Sequence, residues 1–286
     1  MQANKKRYAI KKTAELLGVS RSAYYKRAKE GVSSRRQQAD ARLVRLIRQI
    51  VTKHHRRYGS PRVRRELPNV YGKRVSLKKA ARLMREYGLN ARRRRRFIPK
   101  ANSKHTFAVF ENILNRRFHA DGCGQKWACG ITCLRTQGGW VYLTVVLDLF
   151  GRKVIGRALS SGMEAFHTTL AALNMAVNNR PPQEGLLFHS DRGVRYCAEN
   201  FPDALKKRCP TVLKSMSRKG NVWDNACMES FFKTLKAELE TLGGKHSEAE
   251  ARQPVFMYTE AYYNRIRRTK VRCIRHLTTL RLMCLD

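Results

Sequence analysis

The sequence feature that most constrains the fold lies between residues 186 and 238, where a short apolar run leads directly into ionisable residues. The run 186–188 is typical of a buried strand, and Asp191 and Gly193 follow it. An ionisable residue at the end of a buried strand, followed by a turn glycine, is where open α/β sheets place their functional groups. The pattern therefore predicts a sheet with a functional site at the end of this strand.

A helix is predicted downstream, and it carries a second carboxylate. The apolar residues from 228 to 235 recur with helical spacing, and Asp224 or Asn225 is the expected N-cap. Glu229 falls in the first turns of this helix and can face Asp191. Two carboxylates brought together from a strand and a helix suit divalent, oxygen-binding cations such as Mg²⁺. The alternative is that both residues serve only as caps.

Three motifs in this region carry a specific resemblance. The first is H-S-D-R-G-V-R-Y at 189–196, the second is S-M-S-R-K-G-N at 215–221, and the third is the segment 223–232, which contains W-D-N-A and E-S-F-F. Together they resemble the second half of the catalytic core of bacterial insertion-sequence transposases. That family shares the retroviral-integrase fold, and its transposase is made from two overlapping reading frames. This chain resembles the OrfB-type product, and the resemblance extends over most of its length.

The resemblance implies which residues do the chemistry. Asp191 and Glu229 correspond to two members of a catalytic Asp-Asp-Glu triad that holds metal, with two Mg²⁺ (or Mn²⁺) ions expected in an intact family member. The implied activity is DNA strand cleavage and strand transfer at the ends of the element. The spacing between the two residues is slightly longer than the family pattern, and the extra length falls near 207–210 in a predicted loop.

The first member of the triad is missing. The family motif in the first strand reads Trp, two residues, then Asp-Ile-Thr, whereas residues 127–132 read W-A-C-G-I-T. Gly130 therefore stands where the family has Asp, and we expect a catalytically impaired, degraded copy. Asp148 is the candidate substitute, because it would lie across the ladder from residue 130 if the hairpin turn centred near Gly139. A loss of metal-dependent activity follows if it does not substitute.

The order of predicted elements is ribonuclease-H-like. Alternating strands joined by glycine turns are followed by a helix and a further apolar strand, and a right-handed crossover brings that last strand beside the first. We therefore predict an α/β ribonuclease-H-like core, a mixed sheet flanked by helices, preceded by an all-α helix-turn-helix region. The predicted elements are strands at 126–136, 140–151, 152–160 and 186–189, and a helix at 163–178.

The N-terminal region predicts two basic helical units. In residues 8–30, L-G-V-S-R-S has helix-turn-helix spacing, with a turn at Gly18 and a cap at Ser20, although an ordinary helical hairpin is the alternative. In residues 35–97, one helix face carries Leu43, Leu46, Ile47 and Ile50, a second helix starts at Ser60-Pro61, and Ser76 caps a third. This second unit resembles the helix-turn-helix insert that precedes the core in the same family.

The charge indicates a nucleic-acid partner. Sixty Lys and Arg against 21 Asp and Glu give +39, and the first 100 residues hold 32 of the basic and 5 of the acidic residues. The run Arg92–Arg96 is predicted to be an extended arm against phosphate, with a solvated linker as the alternative. The predicted DNA-binding residues are Ser22, Tyr25, Lys26, Arg62, Arg64, Lys78, Lys79, Arg92, Arg93, Arg94, Arg95, Arg96, Lys219, Lys233 and Lys236.

The remaining expectations concern partners and boundaries. We expect double-stranded DNA (element ends and target), a homo-oligomer and an upstream-frame OrfA product as partners, no membrane contact, and a cytoplasmic, nucleoid-associated bacterial protein. The alternative function is a non-catalytic DNA-binding regulator or an inhibitor of related transposases.

The predicted domains are a helix-turn-helix at 1–34, a second basic helix-turn-helix-like domain at 35–97, a linker at 98–119, an integrase-like core at 120–268 and a divergent tail, attributed to a frameshift, at 269–286.

Overall fold

The computed structural model describes six main segments of the chain. These are residues 10–16, 34–91, 107–160, 165–197, 200–239 and 247–267, together with residues 18, 20–22 and 25. The chain divides into two compact units, Met1–Arg92 and Arg93–Asp286. Within these segments, no helix has the length and apolar character needed to cross a membrane. Most of the predicted second helix after Ser20, the run Arg92–Arg96 and the whole predicted tail at 269–286 lie outside the described residues.

The first unit is helical. Gly59 precedes α3 in extended conformation and Pro61 lies in its first turn, while Gly72 ends the helix in the left-handed region at φ +63°. The Ser76 side chain caps α4 by accepting a hydrogen bond from the backbone N–H of Lys79. The predicted starts of both helices are therefore confirmed. The helices are α1 (Ile10–Leu16), α2 (Ser34–Lys53), α3 (Ser60–Tyr71) and α4 (Leu77–Glu86).

The apolar face of α2 is rotated slightly from its prediction. Val44 and Val51 join the predicted residues in the core, whereas Leu46 is only half-buried. The face is wider than the i, i+3, i+4 stripe because α2 packs against both α3 and α4. The buried residues of this core include Leu43, Val44, Ile47, Ile50, Val51, Val63, Leu67, Ala80, Leu83 and Met84.

The second unit is built on a five-stranded sheet in the order β3-β2-β1-β4-β5. β1 pairs antiparallel with β2, β2 with β3 likewise, and β4 is parallel to both β1 and β5. The predicted mixed, ribonuclease-H-like sheet is thus confirmed, although β5 was not predicted, because its sequence L-K-S-M contains no apolar run. The strands are β1 (Lys126–Thr136), β2 (Gly139–Asp148), β3 (Lys153–Ser160), β4 (Leu187–Ser190) and β5 (Leu213–Met216).

Helices cover the sheet. The longest, α5, packs on β3 at Gly156, where a Cβ atom would lie 2.0 Å from the carbonyl oxygen of Ala172. Only glycine permits this approach of helix to strand. The helices are α5 (Ala165–Asn179), α6 (Val194–Cys197), α7 (Asn200–Arg208), a 3₁₀ turn (Val222–Asn225), α8 (Ala226–Glu238), α9 (Glu248–Phe256) and a π-helical segment (Met257–Tyr263).

A buried ion pair joins α8 to the end of the described chain. Glu238 accepts two hydrogen bonds from the guanidinium of Arg267, at 2.8 and 2.9 Å, and a third from the Tyr258 hydroxyl at 2.9 Å. Glu238 and Arg267 are both almost fully buried. The bidentate geometry satisfies the carboxylate and fixes the C-terminal end of α8 against the π-helical segment.

Candidate active site

The parallel pairing of β1 and β4 determines which residues meet at the predicted site. Trp127 lies opposite Phe188, and Ala128 lies opposite His189. If this register is continued by two residues along both strands, Gly130 lies level with Asp191, which directly follows β4. The sheet therefore brings the first two triad positions side by side. One of the two has no side chain.

Asp191 lies in a half-buried turn. Its Oδ1 accepts a 2.9 Å hydrogen bond from the backbone N–H of Gly193. Burial raises the pKa of the Asp191 carboxyl, while this hydrogen bond and the charge of Arg195 act in the opposite direction. Arg195 also lies 4.9 Å from the centre of the Tyr142 ring. The sequence prediction of a turn glycine after a strand-end carboxylate is correct in its geometry.

Helix α8 crosses directly over Gly130. A Cβ atom at this position would meet the Phe232 ring at 3.0 Å and the Met228 Cβ at 3.3 Å. Met228 and Phe232 are one helical turn apart, so they form the face of α8 that packs on β1. Glu229 follows Met228 in the first turn and is exposed. The structure thus carries Asp191 and Glu229 on the two elements that flank Gly130.

Two hydrogen-bonded anchors hold the start of α8. The side-chain amide of Asn225 donates a 3.0 Å bond to the carbonyl of Cys129, the residue before Gly130. Asp224 is fully buried and accepts bonds of 2.7 to 3.0 Å from Arg218 and Arg116. Hydrogen bonds from Arg218 and then Arg116 hold the pKa of the Asp224 carboxyl well below its usual range. The D-N pair of the motif therefore anchors the helix rather than capping it, because the Asn225 side chain makes no cap bond.

The comparisons with known proteins agree with this architecture. Residues 37–97 match the model of the HTH-like domain, and residues 120–222 match the model of the integrase core domain. The chain is 39% identical over 264 residues to the transposase InsF for insertion sequence IS3A of Escherichia coli (strain K12), covering 91% of this chain and 90% of that protein. The chain belongs to the InsF family of insertion-sequence transposases.

Two further similarities are more distant or less informative about activity. The chain is 36% identical over 254 residues to the insertion element IS600 uncharacterized 31 kDa protein of Shigella sonnei, covering 89% of this chain and 92% of that protein. Among solved structures, the HTLV-2 integrase catalytic core domain in complex with magnesium aligns with a TM-score of 0.41 and 12% identity, covering 53% of this chain and 92% of that one. The predicted resemblance to OrfB-type insertion-sequence transposases is confirmed.

Asp148 does not lie where the transposase would need a substitute ligand. It is opposite Trp127 rather than Gly130, about 10 Å along the strand. The condition for that substitution, a turn centred near Gly139, is not met, because Gly139 is already paired with Thr136. Asp148 is fully buried and accepts hydrogen bonds from Arg180 at 2.6 Å and from the backbone N–H groups of residues 124 and 150. Its carboxylate has a structural role in this transposase.

His189 also has a structural role. Its two ring nitrogens contact the hydroxyl groups of Ser215 at 2.9 Å and Ser217 at 3.3 Å, which joins β4 to β5. Burial lowers the pKa of His189 to about 4, so the imidazole is neutral at physiological pH. The H-S-D and S-M-S motifs of the transposase are therefore linked in space through His189.

The donor set at this site fits a divalent cation incompletely. Of the expected ligands, Asp191 and Glu229 have carboxylate oxygens, the donor type that suits Mg²⁺. Gly130 supplies none, and the neighbouring Cys129 is a buried thiol whose pKa is raised to about 12, so it stays protonated. Among the described residues, no group of three or more His, Cys, Asp or Glu side chains could hold a metal ion. The residues present do not fit the two-ion centre that the triad implies.

The predicted DNA-binding residues differ in their solvent exposure and in whether they already contact other protein groups. Arg62 is half-buried and contacts Tyr58 and the carbonyl of Arg57, and Lys79 forms a 2.8 Å ion pair with Asp40. Lys236 is half-buried, and burial lowers its pKa. Lys26 and the run 92–96 lie outside the described residues. The exposed members are Ser22, Tyr25, Arg64, Lys78, Lys219 and Lys233.

Sequence reasoning missed Arg116 and Arg218 as functional candidates. Both side chains are about half exposed, and both bind the buried Asp224. Arg218 lies inside the S-M-S-R-K-G-N motif, so its position in the motif was a usable signal. Arg116 comes from the predicted linker, which offered none, because only the fold brings it next to residue 224.

Proposed function

We propose that this protein binds the DNA ends of its insertion element and a target duplex but is impaired in strand cleavage and strand transfer. The observation that supports the proposal is Gly130, which lies level with Asp191 and beneath α8, where the family carries the first aspartate. Asp148 offers no replacement because its carboxylate is engaged by Arg180. The family relationship supports transposition as the process in which the protein takes part.

The expected loss follows from how such sites work. A complete set of three carboxylates holds two divalent ions, which activate a water or 3′-hydroxyl nucleophile and stabilise the leaving oxygen. Asp191 and Glu229 alone leave out the aspartate of the first strand. Groups that act as a unit lose on the order of 10³-fold in rate when one is removed. We therefore expect the rate of strand transfer by the natural sequence to be lower, by at least that factor, than the rate with all three carboxylates present.

The decisive experiment restores the missing carboxylate. Strand transfer on labelled element ends and Mg²⁺ or Mn²⁺ binding by calorimetry are measured for the natural protein, for Gly130→Asp and for Gly130→Asn. The asparagine variant is the matched control, because both side chains must displace the Phe232 ring by a few tenths of an ångström. Only the aspartate supplies the charged ligand.

We expect metal binding and strand joining in Gly130→Asp alone. Strand joining by the natural protein at the rate of the aspartate variant would contradict the impairment. Equal activity of the aspartate and asparagine variants would contradict the assignment of position 130 as a metal-ligand position. Circular dichroism of all three proteins tests whether the substitutions leave the fold intact.

A protein that binds element ends without cleaving or joining strands occupies sites that related transposases need. We therefore infer that this protein inhibits related transposases. The helical unit has its own buried core, with Ile47, Leu83 and Met84 at 0 to 1% exposure, so its fold does not depend on position 130. Exposed basic side chains such as Arg64 and Lys78 give it the charge that phosphate binding requires. We infer that it competes for element ends, alone or in mixed oligomers, with an OrfA product as a further partner.

Competition is tested by adding the natural protein to the active Gly130→Asp variant. Strand transfer should fall as the natural protein approaches equal concentration. A variant with its exposed Arg64 and Lys78 changed to alanine is the control and should inhibit less. Undiminished transfer at excess natural protein would exclude the inhibitor role.

A further inference from the structure

An exposed aromatic side chain stands next to the candidate active site. Trp223 is 72% exposed, and its neighbour Val222 is 55% exposed. By contrast, Trp127 is fully buried in the sheet. Trp223 lies in the 3₁₀ turn that leads into α8, six residues before Glu229. Large apolar side chains on a rigid surface near a functional site are typical of binding contacts.

Arg116 binds the residues on both sides of Trp223, and Arg218 binds one of them. The Asn221 side chain accepts hydrogen bonds from the Trp223 backbone N–H at 3.2 Å and from Arg116 at 3.1 Å. Asp224, on the other side, accepts from Arg116 and from Arg218. The backbone of the turn that carries Trp223 is therefore fixed before a ligand binds, which lowers the entropy cost of binding.

The surface around Trp223 is positively charged. Arg116 and Arg218 are 48% and 51% exposed, and Lys219 is exposed beside them. Asp224 neutralises only one of these three charges. Each guanidinium has five N–H donors, so the bonds to Asp224 leave donors for a phosphate. An aromatic face among phosphate-binding cations fits a nucleotide better than it fits an apolar protein surface.

We propose that Trp223 is a stacking platform for an unpaired nucleotide base of the DNA strand held beside Glu229, with Arg116, Arg218 and Lys219 on the adjacent phosphates. The base must be unpaired because bases inside a duplex already cover each other's faces. This inference rests on the proposed DNA binding and adds a specific preference for a single-stranded end. Asn225 couples the platform to the strand that carries Gly130 through its bond to Cys129.

The experiment compares two DNA probes: a blunt duplex of the element end and the same duplex with a short single-stranded overhang. Affinities are measured by fluorescence anisotropy for the natural protein and for Trp223→Ala and Trp223→Phe. Trp140→Ala is the matched control, because Trp140 is also a partly exposed tryptophan, at 43%. Intrinsic tryptophan fluorescence provides a second readout, because stacking quenches an indole.

We expect Trp223→Ala to weaken overhang binding about tenfold, with blunt-duplex binding unchanged and the quenching lost. Trp223→Phe should retain most of the affinity, and Trp140→Ala all of it. Equal affinity of the natural protein for both probes would overturn the platform, as would a change in oligomeric state of Trp223→Ala without any change in DNA affinity. Absence of blunt-duplex binding by the natural protein would instead overturn the proposed function.

Discussion

The side-chain amide of Asn225 donates a hydrogen bond to the carbonyl of Cys129 at 3.0 Å, and both groups are buried. The bond joins the start of α8 to the strand β1, one residue before Gly130. The helix that carries Glu229 is therefore positioned relative to the first strand by a direct contact. Its orientation depends on tertiary structure and not on its own capping.

Replacing Asn225 by alanine should destabilise the protein by about 1–3 kcal/mol, because the Cys129 carbonyl loses its amide donor in a buried site. Urea denaturation measures the change. Thr234→Ala is the control, because its hydroxyl bonds to the carbonyl of Ser230 within the same helix and is partly exposed. The control should change stability by about 0.5 kcal/mol or less. Equal effects of the two substitutions would contradict the anchoring role.

The Asp224 carboxylate should make stability depend on pH in the acid range. Its pKa is lowered in the folded protein, chiefly by hydrogen bonds from Arg218, so the unfolded chain binds its proton first as the pH falls. The stabilisation is therefore complete above the ordinary aspartate pKa of about 4 and is lost progressively below it. Asp224→Asn should be less stable at pH 7 by about 2 kcal/mol or more. Its deficit should shrink as the pH is lowered from 5 to about 2; a constant deficit would contradict the ion pair.

Gly156→Ala should be among the most damaging small substitutions in the sheet. The added methyl group meets a backbone oxygen of α5 at 2.0 Å, so helix and strand must separate. We expect a loss of about 3 kcal/mol in the free energy of unfolding. Gly138→Ala in the hairpin turn is the matched control, since nothing lies within 4 Å of its added Cβ. Thermal denaturation of both variants provides the comparison, and similar midpoints would count against the close packing.

Asp148→Asn tests whether this carboxylate is structural. The substitution removes the charge partner of the largely buried Arg180, which should cost about 3 kcal/mol. In the Gly130→Asp background, Mg²⁺ affinity measured by calorimetry should stay unchanged. Weaker metal binding with full stability would instead place Asp148 in the metal site.

Lys78 and Lys79 are adjacent in sequence but should respond differently. Lys78 is exposed, so Lys78→Ala should weaken DNA binding and reduce the slope of log K against log salt by about 0.9. Lys79 is paired with Asp40 at 2.8 Å, so Lys79→Ala should change the salt slope less and lower stability. Duplex binding over a range of salt concentrations, together with urea denaturation, separates the two effects. The same salt slope for both variants would contradict the assignment.

Much of the core was predictable because its signals are local. The bounds of β1 were predicted correctly from strand periodicity and a glycine turn, and the Ser76 cap from its position before an apolar helix face. Two errors had different causes. The pattern L-K-S-M of β5 contains no apolar run that would indicate a strand, and a small shift of the hairpin turn moved Asp148 away from Gly130.

The sequence by itself determined the family, the basic character of the N-terminal unit and the absence of a carboxylate at position 130, because each depends only on residue identity and order. Tertiary structure decided that Gly130 lies level with Asp191 under α8, that Asp148 forms an ion pair with Arg180, and that Trp223 is exposed to solvent. Strand register, ion-pair choice and exposure depend on contacts between residues far apart in the chain. Local propensity carries no information about such contacts.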